Sequence, residues 1–519
     1  MATPGLLYVT MQPKPGLSLD QFHEWYNNEH GPTRLRIPSI FSNGLRYQTD
    51  DPEKPRFCAL YDVKDMKLLE TETQVDVKRY FYDLVFSTQT GPYLPPQTLP
   101  ESVTNGLLII SEEATIKDTE GAAEEYEKWF ASEYASMISK VAGWLRTRLF
   151  KNSSIEDSSK TVYFAMHDFT PLNQLDADAG KECFNHQRRT DVFAKCVASS
   201  DLRRDTLFYT FGPAPRDLES LSRLPPSAAF TSADGKTITT PGPEPVIQSY
   251  INLPDSLEIP YRLEGNAAPQ SPIVVFCNSL LTDLHMWDPF VAILKKQRPD
   301  LRILRYDTRG RHSIPQPAVA ATLEQVTKDM FRVLDAVRIP RAYAIIGVSM
   351  GGATTLNAVL REDERAEKFI ACDFNVTSSA ANTQAWKDRI LVAEEDDGQG
   401  IKKLATQTVA RWFGPTSMEN PELVSWMENM VAANNVDGFK HSCTALWDYD
   451  LKPKLDMCGV PGLLVVGEAD GKGALVKAMQ GFAGNLGLEG VKLAIVPGAG
   501  HLPMCEQPTA FWDAIKDFL

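Results

Sequence analysis

Two grammars of apolar positions follow one another along this chain. In the first, a short apolar strand, a helix and further strands recur as a unit. Leu6–Thr10 reads as a strand, a Pro/Gly turn follows, and a helix runs over residues 19–35. Its apolar positions Leu19, Phe22 and Tyr26 are at helical spacing, which makes core packing their default role. Leu107–Ile110 begins a similar strand, followed by a helix over residues 122–141. The two helices can be overlaid: Phe22, Trp25 and Glu29 fall on Tyr126, Trp129 and Glu133, and later Leu45-Arg46 falls on Leu145-Arg146. Phe57–Tyr61 and Val162–Met166 are the strands that follow, and each copy ends with a second helical segment and a terminal strand, such as Thr206–Phe211. The pattern is β-α-β-β-α-β, twice, an α+β ferredoxin-like tandem repeat. An open sheet of this kind needs a partner to cover its apolar face. A tandem copy supplies one, so the prediction is an intramolecular pseudo-dimer, with repeats over residues 1–102 and 103–216.

Residues 217–245 change composition to Pro, Ser, Thr and Gly, as in Leu224-Pro225-Pro226-Ser227, and read as a linker with little helix or strand of its own. From Val246 the second grammar begins. Ile273–Phe276, Leu301–Arg305, Ala342–Ile346, Phe369–Cys372, Leu463–Val466 and Leu493–Val496 are short, strongly apolar strands, and helical patterns such as Leu323–Val337 lie between them. Buried strands alternating with helices indicate a mostly parallel α/β sheet covered on both faces, over residues 246–519. The alternation stops over about residues 377–451, where several helices appear in sequence. That stretch reads as a helical cap over the strand ends.

Composition narrows the partners. The chain has 519 residues, with 53 Lys and Arg against 67 Asp and Glu, a net charge of −14. An acidic surface repels phosphate backbones, and no run of five basic residues occurs, so nucleic acid is excluded as an expected partner. No 18-residue apolar stretch exists to span a membrane, and the first residues lack the layout of a signal peptide, so the expected setting is cytoplasmic. The eight cysteines are scattered, with no C-x-x-C pair, and no H-E-x-x-H appears; no metal and no cofactor are expected. Gly467–Lys472 is one residue short of a phosphate-binding loop and lacks its final Ser or Thr.

One constellation carries chemistry. The predicted strand ending in Ile345-Ile346 runs into Gly347-Val348-Ser349-Met350-Gly351, and a helix pattern starts at once. This is G-x-S-x-G in its strand–turn–helix setting, which lifts a serine hydroxyl off the sheet edge. A serine needs a general base. His501 follows the last strand in a loop of small residues, Gly498-Ala499-Gly500. The base needs a carboxylate, and Asp470 lies just past the preceding strand, although Glu468 and Asp373 also end strands. The chain order is Ser, Asp, His. Backbone N–H groups of Leu280 and Met350 are the expected oxyanion donors. Ser279, His285, Trp287 and Trp447 are candidates for lining the substrate pocket, with Arg309 and His312 nearby.

Two resemblances follow from these residues. The run Phe22-His23-Glu24-Trp25-Tyr26-Asn27-Asn28-Glu29-His30 with Ile37-Pro38 resembles the EthD-like members of the dimeric α+β-barrel superfamily. It makes His30 the candidate site residue of that module, with Tyr134 in its place in the second copy. Residues 246–519 resemble the α/β-hydrolases, and within them the 3-oxoadipate enol-lactonase group. The matching segments are Asn278–Asp283, Met286–Pro289, Tyr306–Gly310, the Ser349 turn, Ser442–Leu446, Gly500–Pro503 and Glu506–Pro508. Two positions depart: His285 stands where the group has Arg, and Arg311-His312 where it has His-Gly, which leaves the exact lactone open. The resemblance implies Ser349 as nucleophile, Asp470 as acid and His501 as base. It implies hydrolysis of a small-molecule lactone or small carboxylic ester, in aromatic or polyketide-type secondary metabolism. Cleavage of a C–C bond beside a ketone is the alternative for the same triad. The EthD-like module stands as an isomerase, cyclase or decarboxylase, or as an assembly platform, and a homo-oligomer is compatible with either.

Overall fold

The computed structural model describes residues 3–66, 79–153, 160–232, 234–316, 318–395 and 399–519. They form two compact units, Met1–Pro213 and Ala214–Leu519.

In the first unit the strands are β1 (Gly5–Met11), β2 (Leu45–Gln48), β3 (Phe57–Val63), β4 (Arg79–Gln89), β5 (Leu108–Ile116), β6 (Trp144–Asn152), β7 (Val162–Phe169) and β8 (Val197–Thr210). They close into one antiparallel barrel in the order β1-β3-β2-β8-β5-β7-β6-β4. The result is a single closed sheet rather than two separate open ones. Closure pairs every strand edge, which removes the exposed N–H and C=O groups that each half would otherwise present. Within the closed order, β4-β1-β3-β2 and β8-β5-β7-β6 run alike, joined at β2–β8 and β4–β6. The second helical segment expected in the first copy lies over residues 67–78, outside the described residues. The second copy carries Asp178–Asn185 and Gln187–Cys196 there.

Alternate strand residues face two different cores. Leu6, Tyr8, Leu60, Phe164 and Met166 face the lumen, which also holds the paired charges of Arg146, Arg148, Asp62 and Asp168. Leu7, Val9 and Tyr61 pack outward on Phe22 and Tyr26 of the first helix, and Tyr163 and Ala165 on Tyr126 and Trp129 of the second. Each helix loosens into a π-turn at the same place, Tyr26–His30 in one copy and Phe130–Tyr134 in the other. Charged groups also cross between the copies, since Arg148 on β6 bonds Asp62 on β3 at 2.7 Å.

His167 on β7 is fully buried against Phe130, with Nδ1 2.9 Å from the Thr147 hydroxyl. Burial pushes its imidazole down to about 3. The unfolded chain, with an ordinary histidine near 6.5, therefore takes up a proton before the folded one. The folded state keeps this contribution above pH 6.5 and loses it as pH falls towards 3, a change of about 4–5 kcal/mol. His167→Gln keeps a polar partner for Thr147 without the titration. Its acid-unfolding midpoint, followed by circular dichroism, should move to lower pH; an unmoved midpoint would refute the assignment.

The second unit holds β9 (Phe230–Thr231), β10 (Ile238–Thr240), β11 (Val246–Asn252), β12 (Glu258–Gly265), β13 (Ile273–Cys277), β14 (Arg302–Tyr306), β15 (Ala342–Val348), β16 (Ala366–Cys372), β17 (Gly462–Gly467) and β18 (Lys492–Val496). The sheet order is β18-β17-β16-β15-β13-β14-β12-β11-β10-β9. It is parallel from β18 to β14 and antiparallel beyond. Each face carries its own apolar layer.

The composition of residues 217–245 misleads. Leu218 and Leu221 of the short helix Leu218–Ser222 are wholly buried in this unit's core, and β9 and β10 extend its sheet through β11. Short edge strands tolerate Pro, Ser and Thr because one side needs no ladder partner, so their composition resembles a linker's. Thr377 and Asp450 form an antiparallel bridge, and between them stand the helices Ala380–Glu394, Gly400–Trp412, Pro415–Met418, Pro421–Ala432 and Val436–Cys443.

Candidate active site

Ser349 follows β15 at φ 59° and ψ −117°, and the helix Met350–Val359 starts at the next residue. A side-chain-bearing residue in the positive-φ region costs about 1–3 kcal/mol and persists only where its surroundings enforce it. The two glycines allow the turn to close. A Cβ on Gly347 would stand 2.1 Å from the Gly351 carbonyl oxygen, and one on Gly351 would stand 2.0 Å from that of Cys277. The Ser349 N–H donates to the Cys372 carbonyl at 2.9 Å. While Val348 and Met350 are buried, Ser349 keeps accessible surface.

His501 comes from the loop after β18 and Asp470 from the turn after β17. His501 Nδ1 is 2.7 Å from Asp470 Oδ2. A proton shared on that side leaves Nε2 as the free lone pair, the tautomer a general base needs. The loop is held on three sides. The His501 N–H donates to the Trp412 carbonyl at 2.6 Å, and the two rings stack at 5.8 Å. Glu506 accepts the N–H groups of Gly414, Gly500 and Leu502 at 2.7, 3.0 and 3.0 Å. Burial raises the Glu506 carboxyl, against the pull of those donors.

The other two strand-end carboxyls are placed differently. Glu468 is exposed and accepts the Gly498 N–H at 3.0 Å. Asp373, after β16, is 1% exposed and accepts the Gly467 N–H at 2.8 Å. Donor atoms of Asp373, Asp470 and His501 lie within 4.8 Å of one another. Cys277 of β13 pairs with Gly347 of β15, so the Leu280 and Met350 backbones emerge from neighbouring strands on one sheet edge. Met350 opens its helix, where an N–H has no intrahelical carbonyl to meet.

Residues 274–514 match the Alpha/beta hydrolase family. Over 258 residues the chain is 31% identical to 3-oxoadipate enol-lactonase 1 of Acinetobacter baylyi, an alignment spanning 49% of this chain and 91% of that one. The chain belongs to the alpha/beta hydrolase family. It is also 29% identical to 3-oxoadipate enol-lactonase 2 of the same organism over 246 residues, 47% of this chain and 87% of that one. The enol-lactonase from Burkholderia xenovorans LB400 aligns structurally with a TM-score of 0.45 at 30% identity, covering 50% of this chain and 96% of that one.

In this hydrolase the pocket candidates separate. Trp287 has no exposed surface; its Nε1–H donates to Asn278 Oδ1 at 2.9 Å and its ring packs on Phe276 at 4.6 Å, so it is a core pillar rather than an open wall. His285 is half exposed and bonds Asp288 at 3.0 Å, a contact that raises its imidazole. Arg309 is sealed between Asp329 at 2.5 Å and Asp255 at 3.0 Å, and His312 bonds Asp307 at 2.6 Å. Ser279 is buried beside Leu280, with its hydroxyl 3.4 Å from the Leu280 carbonyl. Trp447 sits in the cap with Lys387 Nζ 5.2 Å from its ring. In the barrel, His30 Nε2 is 2.5 Å from Arg34 Nη1 and its ring packs on Trp25 and Tyr26.

Two cap residues were not singled out by sequence pattern. Arg411 precedes Trp412, whose carbonyl and ring hold His501. Burial, then the charge of Arg389, lowers its guanidinium to about 10. Arg411 is nonetheless exposed, and its Nη2 donates to the Thr408 hydroxyl at 3.4 Å. Burial lowers Arg389 as well, and its guanidinium lies 4.3 Å from the Trp386 ring. Among the described residues, neither arginine makes an ion pair with a carboxylate. The only trace in the sequence is a pair of arginines on neighbouring cap helices, and helix spacing alone does not say that they converge.

Proposed function

We propose that the Ala214–Leu519 unit is a serine hydrolase that opens a lactone, or cleaves a small carboxylic ester, bearing an acidic group. The observation that carries this reading is the 2.7 Å contact of His501 with Asp470, on the sheet edge where the Ser349 turn ends. Ser349 Oγ attacks the carbonyl carbon while His501 Nε2 takes its proton. Asp470 steadies the imidazolium, and the Leu280 and Met350 N–H groups hold the oxyanion. When the tetrahedral adduct collapses, the C–O bond breaks and the leaving oxygen takes the proton from His501. In a lactone that oxygen stays tethered to the acyl group. Water, deprotonated by His501, then attacks the acyl-enzyme, releasing the acid and restoring Ser349. The lactonase names of the relatives support the ester-type bond over a C–C bond.

Arg389 and Arg411 supply the acidic preference. Two guanidiniums that repel one another are relieved by an incoming carboxylate, and Arg binds carboxylates through paired N–H donors. A fluorophosphonate probe tests the nucleophile directly: it should attach to Ser349, seen by peptide mass spectrometry, in proportion to lost turnover. Labelling elsewhere, or full turnover after labelling, would overturn the assignment.

For the barrel we favour an internal pair of EthD-like repeats acting as an assembly platform. The matching strand orders and the paired π-turns support the duplication. The aromatic packing beneath both helices supports a structural role over a catalytic one, as does the mutual pairing of Arg146 and Arg148 with Asp62 and Asp168 inside the barrel. Residues 1–102 alone would leave both edges of a four-stranded sheet unpaired and should run as dimers in gel filtration, while residues 1–213 run as monomers. A monomeric, folded 1–102 fragment would argue against the pairing.

A further inference from the structure

Beside the His501–Asp470 pair lies a third ionisable group that the proposed reaction does not use. Asp373 follows β16 at φ 47°, in the left-handed backbone region. Its Oδ1 accepts the Gly467 N–H at 2.8 Å. Its Oδ2 is buried, and no N–H or hydroxyl donor reaches it among the described residues. Its nearest polar company is negative or shared: Asp470 and His501, with donor atoms within 4.8 Å. Two carboxylates this close in a dry site cannot both hold a charge cheaply, so one proton is shared between them.

We propose that Asp373 is a positioning residue, a neutral carboxylic acid that donates a hydrogen bond from Oδ2 to the Asp470 carboxylate. The inference rests on the serine-hydrolase reading for its catalytic consequence, not for the proton itself. Asp373 is the member that keeps the proton, because it is sealed and has one backbone donor, while Asp470 faces the imidazole and retains 11% of its side-chain surface. The remaining charged and titratable groups around the pair agree with this. Glu506, on the helix Pro503–Glu506, adds a further negative influence on Asp373, and the Cys372 thiol on the same strand carries no positive charge. The positive Arg411 is near Asp470 rather than Asp373. Burial first, and then the Asp470 charge, push the Asp373 carboxyl well above the usual carboxylate range.

The arrangement does two things. It fixes the Asp470 carboxyl so that Oδ2 stays on His501 Nδ1. It also keeps a second full negative charge out of the buried pocket behind the imidazole. The sign of the pH effect follows. Raising pH through the elevated Asp373 value removes the donor and adds the charge, so activity falls on the alkaline side.

Three variants and two readouts test this in the full chain. Infrared difference spectra of wild type minus Asp373→Asn at neutral pH should show the C=O band of a protonated carboxyl. Asp373→Asn, which donates as the acid does, should keep kcat within about threefold and lack the alkaline decline. Asp373→Ala should lose about 10–100-fold in kcat with KM little changed. Absence of the acid band, or a loss in Asp373→Asn equal to that in Asp373→Ala, overturns the proposal. An acid band together with turnover unaffected by Ser349→Ala upholds the shared proton and overturns the hydrolase reading instead.

Discussion

Ser349→Ala is expected to retain the fold and lose turnover of lactones and aryl esters by about 10³–10⁶ in kcat, with little change in KM. The size follows from the chemistry. Without Oγ no acyl-enzyme forms, and what remains is binding plus the oxyanion donors, which alone are worth about 10³–10⁴ over water. The loss should not grow when His501→Ala is added, because a base without its nucleophile has nothing to activate. Thermal stability should hardly change, since alanine carries the same Cβ into the positive-φ turn that serine does. Steady-state kinetics on a panel of both substrate types, with melting curves of each variant, provide the check. Undiminished hydrolysis by a folded Ser349→Ala protein would remove the central claim.

Arg411→Met and Arg389→Met together are expected to lower kcat/KM for a lactone or ester bearing a free carboxylate by about 100-fold. The methyl ester of the same compound should be little affected. Loss of activity on acid-bearing substrates with an unchanged melting curve separates a binding role from a scaffold role. Equal losses on the acid and its methyl ester would dismiss the carboxylate subsite.

How far the chain could be read without its structure varied with the range of the interactions involved. The Ser349 turn was readable because strand, turn and helix are all local, and the demand for glycine at 347 and 351 comes from contacts that the turn itself creates. The order of the buried strands was partly readable because each is a compact apolar run. The segment 217–245 was misread because edge strands share the composition of linkers. Trp287 was misread for a different reason. A tryptophan near a predicted site fits a pocket wall and a core pillar equally well, and only its bond to Asn278 and its packing on Phe276 distinguish them.

By itself, the sequence determined a parallel α/β sheet and a serine on a tight turn, with a carboxylate and a histidine following in order. These depend on periodicity and on backbone constraints within a few residues. Tertiary structure decided which of Glu468, Asp470 and Asp373 meets the imidazole. It also decided that the eight strands of the first unit share one closed barrel, and that Arg411 stands next to the residue that holds His501. Each of those outcomes joins positions far apart in the chain through strand order and helix packing. The burial that surrounds Asp373 beside Asp470 exists only after those positions have come together.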